Sequence, residues 1–202
     1  MRKESVHARQ MRVRIAQEAA RLMAEEGIHD FYAAKRKAAQ HLGAPDTRNM
    51  PRNLEVQEAL AEYQRLFRDR QQAHHLHELR LGALRAMRFL SGFNPQLVGS
   101  VLSGLAGRHA DINLHLFADT PEELTLFLME AHIPFRSGSR RLRTGRDSWQ
   151  EYPCYEFRAG EHAVELLVFP REGRREAPRS PVDGRPMARA GIREVEALLA
   201  ED

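Results

Sequence analysis

The first half of the chain repeats its apolar residues at three- and four-residue steps, which is the spacing of one face of an α-helix. This pattern predicts a first helix over residues 5–26, which Gly27 ends. A shorter basic helix is expected over residues 31–42, ended in the same way by Gly43. The chain therefore begins with helices separated by short breaks.

The same spacing continues from residue 54 to about residue 90, with no glycine before Gly82 and no proline. It predicts either one long helix or two helices with a bend near Ala73. Asn53 precedes this region and has a side chain that can cap a helix. A long exposed helix of this kind is also a candidate surface for a homodimer.

The pattern changes after Pro95, where polar and apolar residues alternate or form short apolar runs. Such runs are typical of strands that have one or both faces buried. They lie at residues 96–101, 111–117, 133–135, 152–157 and 163–169. The last two flank Ala159-Gly160-Glu161 and are predicted to form a hairpin.

Two helices are expected among these strands. Thr120, Pro121 and Glu123 combine a capping residue, a proline at the first helical position and a glutamate three residues after the cap. A closing helix is predicted over residues 192–199. The expected fold is of the α+β class, with a helical region at residues 1–95 and a small mixed sheet with flanking helices at residues 96–202.

The composition is that of a globular protein rather than a disordered, fibrous or membrane-spanning one. Of the 202 residues, 42% are hydrophobic and 29% are charged. No apolar run approaches the ~20 residues needed to cross a bilayer, and residues 1–7 lack the apolar core of a secretory signal. The single cysteine, Cys154, excludes an internal disulfide and favours a reducing, cytoplasmic location.

The net charge of +3 is unevenly distributed along the chain. Residues 1–95 carry 17 Lys and Arg against 11 Asp and Glu, whereas residues 96–202 carry 14 against 17. The lysines Lys35 and Lys37 belong to the basic first half. This half is either a solvated helical domain or a surface that contacts RNA or DNA phosphates.

The residues most relevant to chemistry lie between 97 and 114. Gly99-Ser100 follows an apolar strand, so a backbone without a side chain and a hydroxyl stand where an anion such as phosphate can bind. Asp111 and Asn113 are two residues apart in a strand and project from one face. Their oxygens can reach a common Mg²⁺.

This stretch resembles the nucleotidyltransferase superfamily typified by DNA polymerase β, and within it the minimal nucleotidyltransferases. Their pattern is Gly-Ser, a further glycine four or five residues on, and Asp-hydrophobic-Asp-hydrophobic on the next strand. Gly99-Ser100, Gly104 and Asp111-Ile112 match it in identity and spacing. The match is close over residues 97–114 and looser over residues 96–170.

The resemblance implies metal-dependent transfer of a nucleoside monophosphate from a nucleoside triphosphate to an acceptor, which is a nucleic acid, a protein or a small molecule. Mg²⁺ or Mn²⁺ is the implied cofactor. Gly99 and Ser100 would hold the triphosphate, and Asp111 would ligate the metal. The family's third carboxylate lies between hydrophobic residues on a later strand, and Glu165 is the candidate to fill that role and to position or deprotonate the acceptor.

Asn113 departs from the family pattern, which has a second aspartate at this place. An amide oxygen can coordinate a cation but contributes no charge, so weaker Mg²⁺ binding is expected. His115, on the same strand face, is a softer ligand suited to Mn²⁺ or Zn²⁺. The alternative is a catalytically degenerate binding module that contacts nucleic acid or a protein partner through its basic helical half.

A run of arginines lies between two predicted strands and has no intervening acid before Asp147. Its members are Arg136, Arg140, Arg141, Arg143 and Arg146. Such a loop could close over a triphosphate or dock an acceptor nucleic acid, or it could be a mobile surface loop. The candidate site therefore has Asp111, Asn113 and Glu165 as catalytic and metal-ligating residues. Its nucleotide-binding residues are Gly99, Ser100, Gly104, Arg140 and Arg141.

Overall fold

The computed structural model of the chain describes residues 6–45, 47–67, 70–145 and 148–201. Residues 1–5, which bear on the expected lack of a secretory signal, and Arg146 lie outside these ranges. Within them the predicted α+β class is confirmed, because helices are followed by a five-stranded mixed sheet with flanking helices. No helix of the described chain is both long and apolar enough to span a membrane.

The chain divides into two compact units. The first unit contains residues 1–72 together with two short segments, residues 107–109 and 181–183. The second contains residues 73–106, 110–180 and 184–202. The change from one unit to the other thus falls near residue 72, whereas the sequence pattern places it at Pro95.

The first unit is built on α1 (Val6–Glu26), α2 (Phe31–His41) and α3 (Asn53–Phe67). Gly27 has a φ of 69°, a left-handed conformation that ends α1 as the sequence predicts. Asp30 caps α2 by accepting hydrogen bonds from the backbone amides of the second and third helical residues. The apolar core consists of Ile15, Ala16, Ala19, Leu22, Ala34, Ala38, Ala39 and Val56.

Asn53 does not have the capping role that its position suggests. It is the first residue of α3, and its side chain accepts a hydrogen bond from Lys35 Nζ at 2.8 Å and donates one to the Pro181 carbonyl at 2.8 Å. Glu55 instead accepts from the backbone amide of Arg52 at 2.7 Å. The Asn53 amide therefore holds α2 and the segment 181–183 to the start of α3.

Within residues 54–90, the structure describes two helical segments, α3 up to Phe67 and α4 from Arg70. The second of them, α4, spans Arg70–Phe89 and continues through Ala73 without a break. Residues 68–69 lie between these two segments and outside the described ranges, and the choice between one long helix and two helices lies there with them.

The second unit is organised around the sheet, whose strands are β1 (Gln96–Val98), β2 (Ile112–Ala118), β3 (Phe135–Arg143), β4 (Trp149–Ala159) and β5 (His162–Pro170). Their order across the sheet is β1-β2-β5-β4-β3. β2 and β5 run parallel, and every other neighbouring pair is antiparallel. The crossover from β2 to β5 contains α6 (Pro121–Glu130) and the β3–β4 hairpin.

One face of the sheet carries the larger apolar core of this unit. Ile112, Leu114 and Leu116 of β2 point into it, together with residues of α4 and α6 and Val195 of the closing helix α7 (Ile192–Glu201). α6 begins as predicted, with the backbone amide of Thr120 donating to Glu123 Oε1 at 3.1 Å. The opposite face has a small aromatic cluster and the polar side chains discussed below.

Two predicted segments differ from the structure. β1 ends at Val98 rather than continuing to residue 101, because Gly99 adopts a φ of 76° and starts the short helix α5 (Gly99–Ser103). The arginine run is not a loop up to residue 143, since residues 135–143 form β3 and pair with β4 along its whole length. Periodicity could not reveal β3 because most of its residues are exposed.

Candidate functional site

A row of side chains crosses one face of the sheet at its midpoint. Strand register places Asn113 of β2 directly between Val98 of β1 and Glu165 of β5. Beyond Glu165 come Glu156 of β4 and Arg136 of β3. Because side chains alternate between faces along a strand, all five residues lie on the face opposite the larger core. The sheet therefore brings Asn113 and Glu165 together, as the resemblance requires.

Gly99 and Ser100 stand at the end of this row. They follow Val98 directly, so they lie beside Asn113, and a methyl group added at position 99 would be 3.5 Å from Asn113 Nδ2. Ser100 is half-buried in the first turn of α5. Gly104 ends α5 with a φ of 77° and lies next to the guanidinium of Arg80. The predicted phosphate-binding residues are thus split between the two ends of α5.

Arg80 fixes the far end of α5. It is 7% exposed, and its guanidinium donates to the carbonyl of Val101 at 3.3 Å and to that of Leu102 at 3.5 Å. A cation against the last carbonyls of a helix satisfies acceptors that have no partner within the helix. Arg80 therefore sets the position of α5 and, through it, that of Gly99 and Ser100.

Asp111 is exposed and directly precedes β2. Its backbone carbonyl accepts a hydrogen bond from Asn113 Nδ2 at 3.2 Å. This bond engages the nitrogen of the Asn113 amide, so Oδ1 is the atom of Asn113 that can coordinate a cation. The two residues thus present one carboxylate and one amide oxygen at the start of β2.

Glu165 makes an ion pair with Arg140 of β3, between Oε2 and Nη2. Its side chain is 15% exposed, whereas that of Arg140 is 51% exposed. Burial by itself lowers the pKa of Arg140, but the charge of Glu165 and the hydrogen bond to it outweigh burial and raise that pKa. Arg140 is therefore a permanent cation on the carboxylate that was predicted to serve the metal.

The structure adds two residues to the site that the sequence did not single out. Ligand atoms of Cys154, Glu156 and Glu165 all lie within 4.8 Å of one another. Asp111 is not a member of this group. The pKa of Cys154 is raised to about 11, chiefly by burial and then by the negative charge of Glu165. The thiol is consequently protonated near neutral pH and is a poor nucleophile.

The register of the hairpin could have identified Glu156. A two-residue turn, Gly160-Glu161, connects β4 to β5 and makes Ala159 and His162 partners. Counting back from that pair puts Glu156 opposite Glu165. The sequence predicts this hairpin, and its register, counted from the turn, would also have placed Glu156 in the candidate site.

The Nδ1 atom of His115 already has a hydrogen-bond partner and is not available to bind a metal. It is 1% exposed, and Nδ1 accepts a hydrogen bond from Arg189 Nε at 3.0 Å. Burial and then the charge of Arg189 lower its pKa to about 3. Arg189 also lies over the rings of Phe117 and Phe169, 5.1 Å from each centroid, and donates to the carbonyl of Gly173 at 3.1 Å. The pair attaches the segment after β5 to this face.

The two arginines assigned to nucleotide binding lie on different faces of β3. Arg140 is on the candidate-site face with Glu165, whereas Arg141 is on the opposite face, with its Cζ 5.5 Å from the ring centroid of Trp149. Arg140 therefore remains near the other site residues, and Arg141 does not.

The lysines of the basic helical half are engaged within the first unit. Lys35 Nζ donates to the carbonyl of Pro51 at 3.1 Å and to Asn53, and Lys37 pairs with Glu26. Burial lowers the pKa of Lys35. These contacts give both lysines a structural role in holding the helices of that unit.

The donor set on the sheet suits a hard divalent cation. Carboxylates of Asp111, Glu156 and Glu165 and the amide oxygen of Asn113 are oxygen ligands of the kind that Mg²⁺ and Mn²⁺ take. The guanidinium at Glu165 shows that a positive charge is stable at this place. The residues present therefore fit the implied metal, with Arg140 as a competing cation.

Comparison with protein-family models and with curated proteins gives no match for this chain.

Proposed function

We propose that the protein transfers a nucleoside monophosphate from a nucleoside triphosphate to an acceptor hydroxyl. The observation that carries this proposal is that Gly99, which precedes Ser100, lies beside Asn113, and that Asn113 lies beside Glu165 on the adjacent strand. They follow the chain order of the nucleotidyltransferase pattern, with Asn113 in place of its second aspartate. Glu165 is more than fifty residues from Asn113 in the chain, so its position in the row is independent of the motif's local spacing.

The triphosphate binds at Gly99 and Ser100. Gly99 has no side chain, so a phosphate can approach the backbone, and the Ser100 hydroxyl donates a hydrogen bond to a phosphate oxygen. Arg140, which lies on the same face, supplies positive charge to the nucleotide.

Asp111, Asn113 and Glu165 are the residues that would hold the metal. When bound, Mg²⁺ or Mn²⁺ supplies positive charge that polarises the phosphates and promotes loss of the acceptor proton. Since Asn113 brings no charge, Glu165 supplies a larger share of the site's negative charge than it would in a site with two aspartates. The ion pair between Arg140 and Glu165 must open for this to happen.

The transfer forms one bond and breaks one. The acceptor oxygen bonds to the α-phosphorus, the bond from that phosphorus to the bridging oxygen breaks, and pyrophosphate leaves. The proton of the acceptor hydroxyl passes to the carboxylate of Glu165. Asp111 and Asn113 orient the nucleotide for this attack.

A second candidate is a binding module that has kept the fold without the reaction, as the degenerate alternative from the sequence states. Asn113 in place of an aspartate and the Arg140–Glu165 ion pair favour it, because together they make the site less able to attract a dication. The engaged lysines Lys35 and Lys37 argue against the basic helical half as its contact surface.

Incubation with each labelled nucleoside triphosphate and Mg²⁺ or Mn²⁺ tests the enzyme, with cell RNA and cell protein supplied as acceptors. We expect label transfer with stoichiometric pyrophosphate release, at a cytoplasmic pH. The Asp111→Ala variant, purified in the same way, excludes a contaminating activity. Absence of both label transfer and pyrophosphate release under every condition would favour the binding module.

A further inference from the structure

The β3–β4 hairpin continues past the residues of β4 that pair with β5. In the described chain, β5 pairs with β4 only over residues 154–159. Residues 149–153 of β4 continue in register with residues 139–143 of β3 alone. We call these two segments the arm. In the arm only β3 and β4 are paired with each other, and β3 is the edge of the sheet. Tyr152 of the arm packs against Phe169 of β5 on the candidate-site face.

The arm carries the single tryptophan of the chain in an exposed position. Trp149 is 55% exposed, although indole is among the largest apolar side chains. Arg141, on the same face of the hairpin, has its Cζ 5.5 Å from the centroid of the Trp149 ring. This contact keeps the indole ring of Trp149 and the planar guanidinium of Arg141 together at the surface.

Arginines surround this pair on both faces of the edge strand. Arg141 and Arg143 lie on the Trp149 face, and Arg136 and Arg140 lie on the other. The backbone amide of Arg179 donates to the carbonyl of Arg143 at 2.6 Å, which brings a further arginine next to the arm.

Three glutamates lie beside arginines of β3. Glu151 is opposite Arg141 and accepts a hydrogen bond from Ser139. Glu156 is opposite Arg136, and Glu165 pairs with Arg140. Arg141 therefore has one acidic neighbour across the strands, and it shares its face with a second arginine.

Charge on an edge strand has a simpler explanation, which is protection against pairing with the edge of another sheet. That explanation accounts for the arginines but not for Trp149, because an exposed indole on an edge promotes association rather than preventing it. An exposed aromatic ring among arginines is instead the arrangement that holds single-stranded nucleic acid, where bases stack on the ring and phosphates meet the cations.

We propose that the arm binds single-stranded nucleic acid, with one base stacked on Trp149 and the adjacent phosphates on the arginines of β3. Duplexes are excluded because their bases are already stacked and paired. The bound strand is also the acceptor of the transferred nucleotide, an assignment that rests on the proposed function. Binding of the strand by the arm does not depend on that function. Arg140 at Glu165 and Arg141 at Trp149 are consecutive in β3 but lie on its opposite faces, so a strand bound at Trp149 has to pass around the edge of β3 to reach the candidate site.

Because Trp149 is the only tryptophan, its fluorescence reports on the arm directly. The full chain is titrated with an unlabelled oligouridylate of about 12 nucleotides, a length within the usual site sizes, in the presence of a chelator and without nucleotide. We expect saturable quenching of the emission. The same oligouridylate annealed to oligoadenylate should produce little quenching. Equal quenching by the duplex, or none by the single strand, would overturn the proposal.

Variants assign the binding to the arm, with fluorescence anisotropy of a labelled oligouridylate as the measurement. Since stacking of one base contributes about 1–3 kcal/mol, Trp149→Ala should weaken binding at least about fivefold, and Trp149→Phe should retain most of it. Arg141→Gln should lower the slope of log affinity against log salt by about 1. Arg65→Gln, at an exposed position in α3, is the matched control and should change neither quantity.

Affinities of Trp149→Ala and Arg141→Gln within twofold of the unmodified chain would contradict binding at the arm. The acceptor assignment is tested separately, by transfer of labelled nucleotide to the same oligouridylate. If the oligouridylate binds at the arm but accepts no label, the arm proposal stands and the acceptor assignment is wrong. If binding fails while label reaches another acceptor, the proposed function stands and the arm proposal is wrong.

Discussion

Asn113 and Glu165 are directly opposite each other on the parallel strands β2 and β5, and their side chains leave the same face of the sheet. An aspartate at position 113 would therefore stand beside a carboxylate. The Asn113 amide avoids that repulsion when no metal is bound. It also contributes no negative charge to attract a metal. This relationship determines how the site responds to substitution.

Asn113→Asp should destabilise the metal-free protein and strengthen metal binding. Like charges on neighbouring strands reduce the free energy of unfolding by an amount on the order of 0.5 kcal/mol. Mn²⁺ should restore it, because a ligand that binds the folded state alone raises its stability. Thermal unfolding with and without Mn²⁺ measures both effects, and transfer activity should be preserved or increased. A variant with unchanged response to Mn²⁺ would remove position 113 from the metal site.

Asp111→Ala should abolish nucleotide transfer and leave the fold intact, because Asp111 is exposed and contributes its backbone, not its carboxylate, to the hydrogen bond with Asn113. Initial rates of pyrophosphate release are the measurement. Asp119→Ala is a matched control, since Asp119 is also exposed but follows the opposite end of β2 and pairs with Arg171. Equal activity of the two variants would exclude Asp111 from catalysis.

Arg140→Gln should tighten metal binding and weaken nucleotide binding. Removing the guanidinium frees Glu165 for the metal, but it also leaves the Glu165 carboxylate, opposite Glu156, without its cation. We expect a loss of up to about 1 kcal/mol in the free energy of unfolding by urea. The double variant Arg140→Gln, Glu156→Gln should recover that loss. Calorimetric titration with Mn²⁺ gives the affinity, and an unchanged value would mean that Arg140 does not compete with the metal.

Gly99→Ala should reduce activity more than its effect on stability explains. At a φ of 76°, a side chain costs about 1 kcal/mol in backbone strain, and the added methyl group occupies the approach of a phosphate. Gly184→Ala is the control, because Gly184 has a φ of 72° and no atoms within 4 Å of an added methyl group. Both variants should lose similar stability in urea, but only Gly99→Ala should raise the KM for nucleotide.

Stability should fall with acidification partly through His115. The pKa of this buried residue is lowered from 6.5 to about 3. Between these two pH values the imidazole is protonated in the unfolded chain but not in the folded chain. Its contribution is complete above about pH 6.5 and decreases as the pH falls towards 3, with a slope of at most about 1.4 kcal/mol per pH unit. Urea unfolding across this range should show a shallower slope for His115→Gln. His29→Gln, at an exposed position, is the control, and equal slopes would contradict the assignment.

Much of the fold was predictable because local signals and final contacts agree. Thr120 and Glu123 define the start of α6 in the sequence and form the corresponding hydrogen bond in the structure. Gly27 ends α1 in the conformation that glycine favours. The hairpin between β4 and β5 was also predicted, and with it the strand that carries Glu165.

Contacts between distant segments could not be predicted in this way. β3 has no alternation of apolar residues because most of it is exposed, so only its pairing with β4 identifies it as a strand. The ion pair of Arg140 with Glu165 depends on the order of three strands, which no single segment encodes. Asn53 was assigned to a cap from its local position, yet its amide is used by Lys35 and Pro181.

The two-residue turn Gly160-Glu161 has a consequence for how this protein can vary. Insertion of one residue there that shifts β5 by one position along β4 would turn Glu165 into the apolar core and bring Leu166 to the opposite face. The polar face of the sheet therefore depends on the length of this turn as well as on the identities of its own side chains.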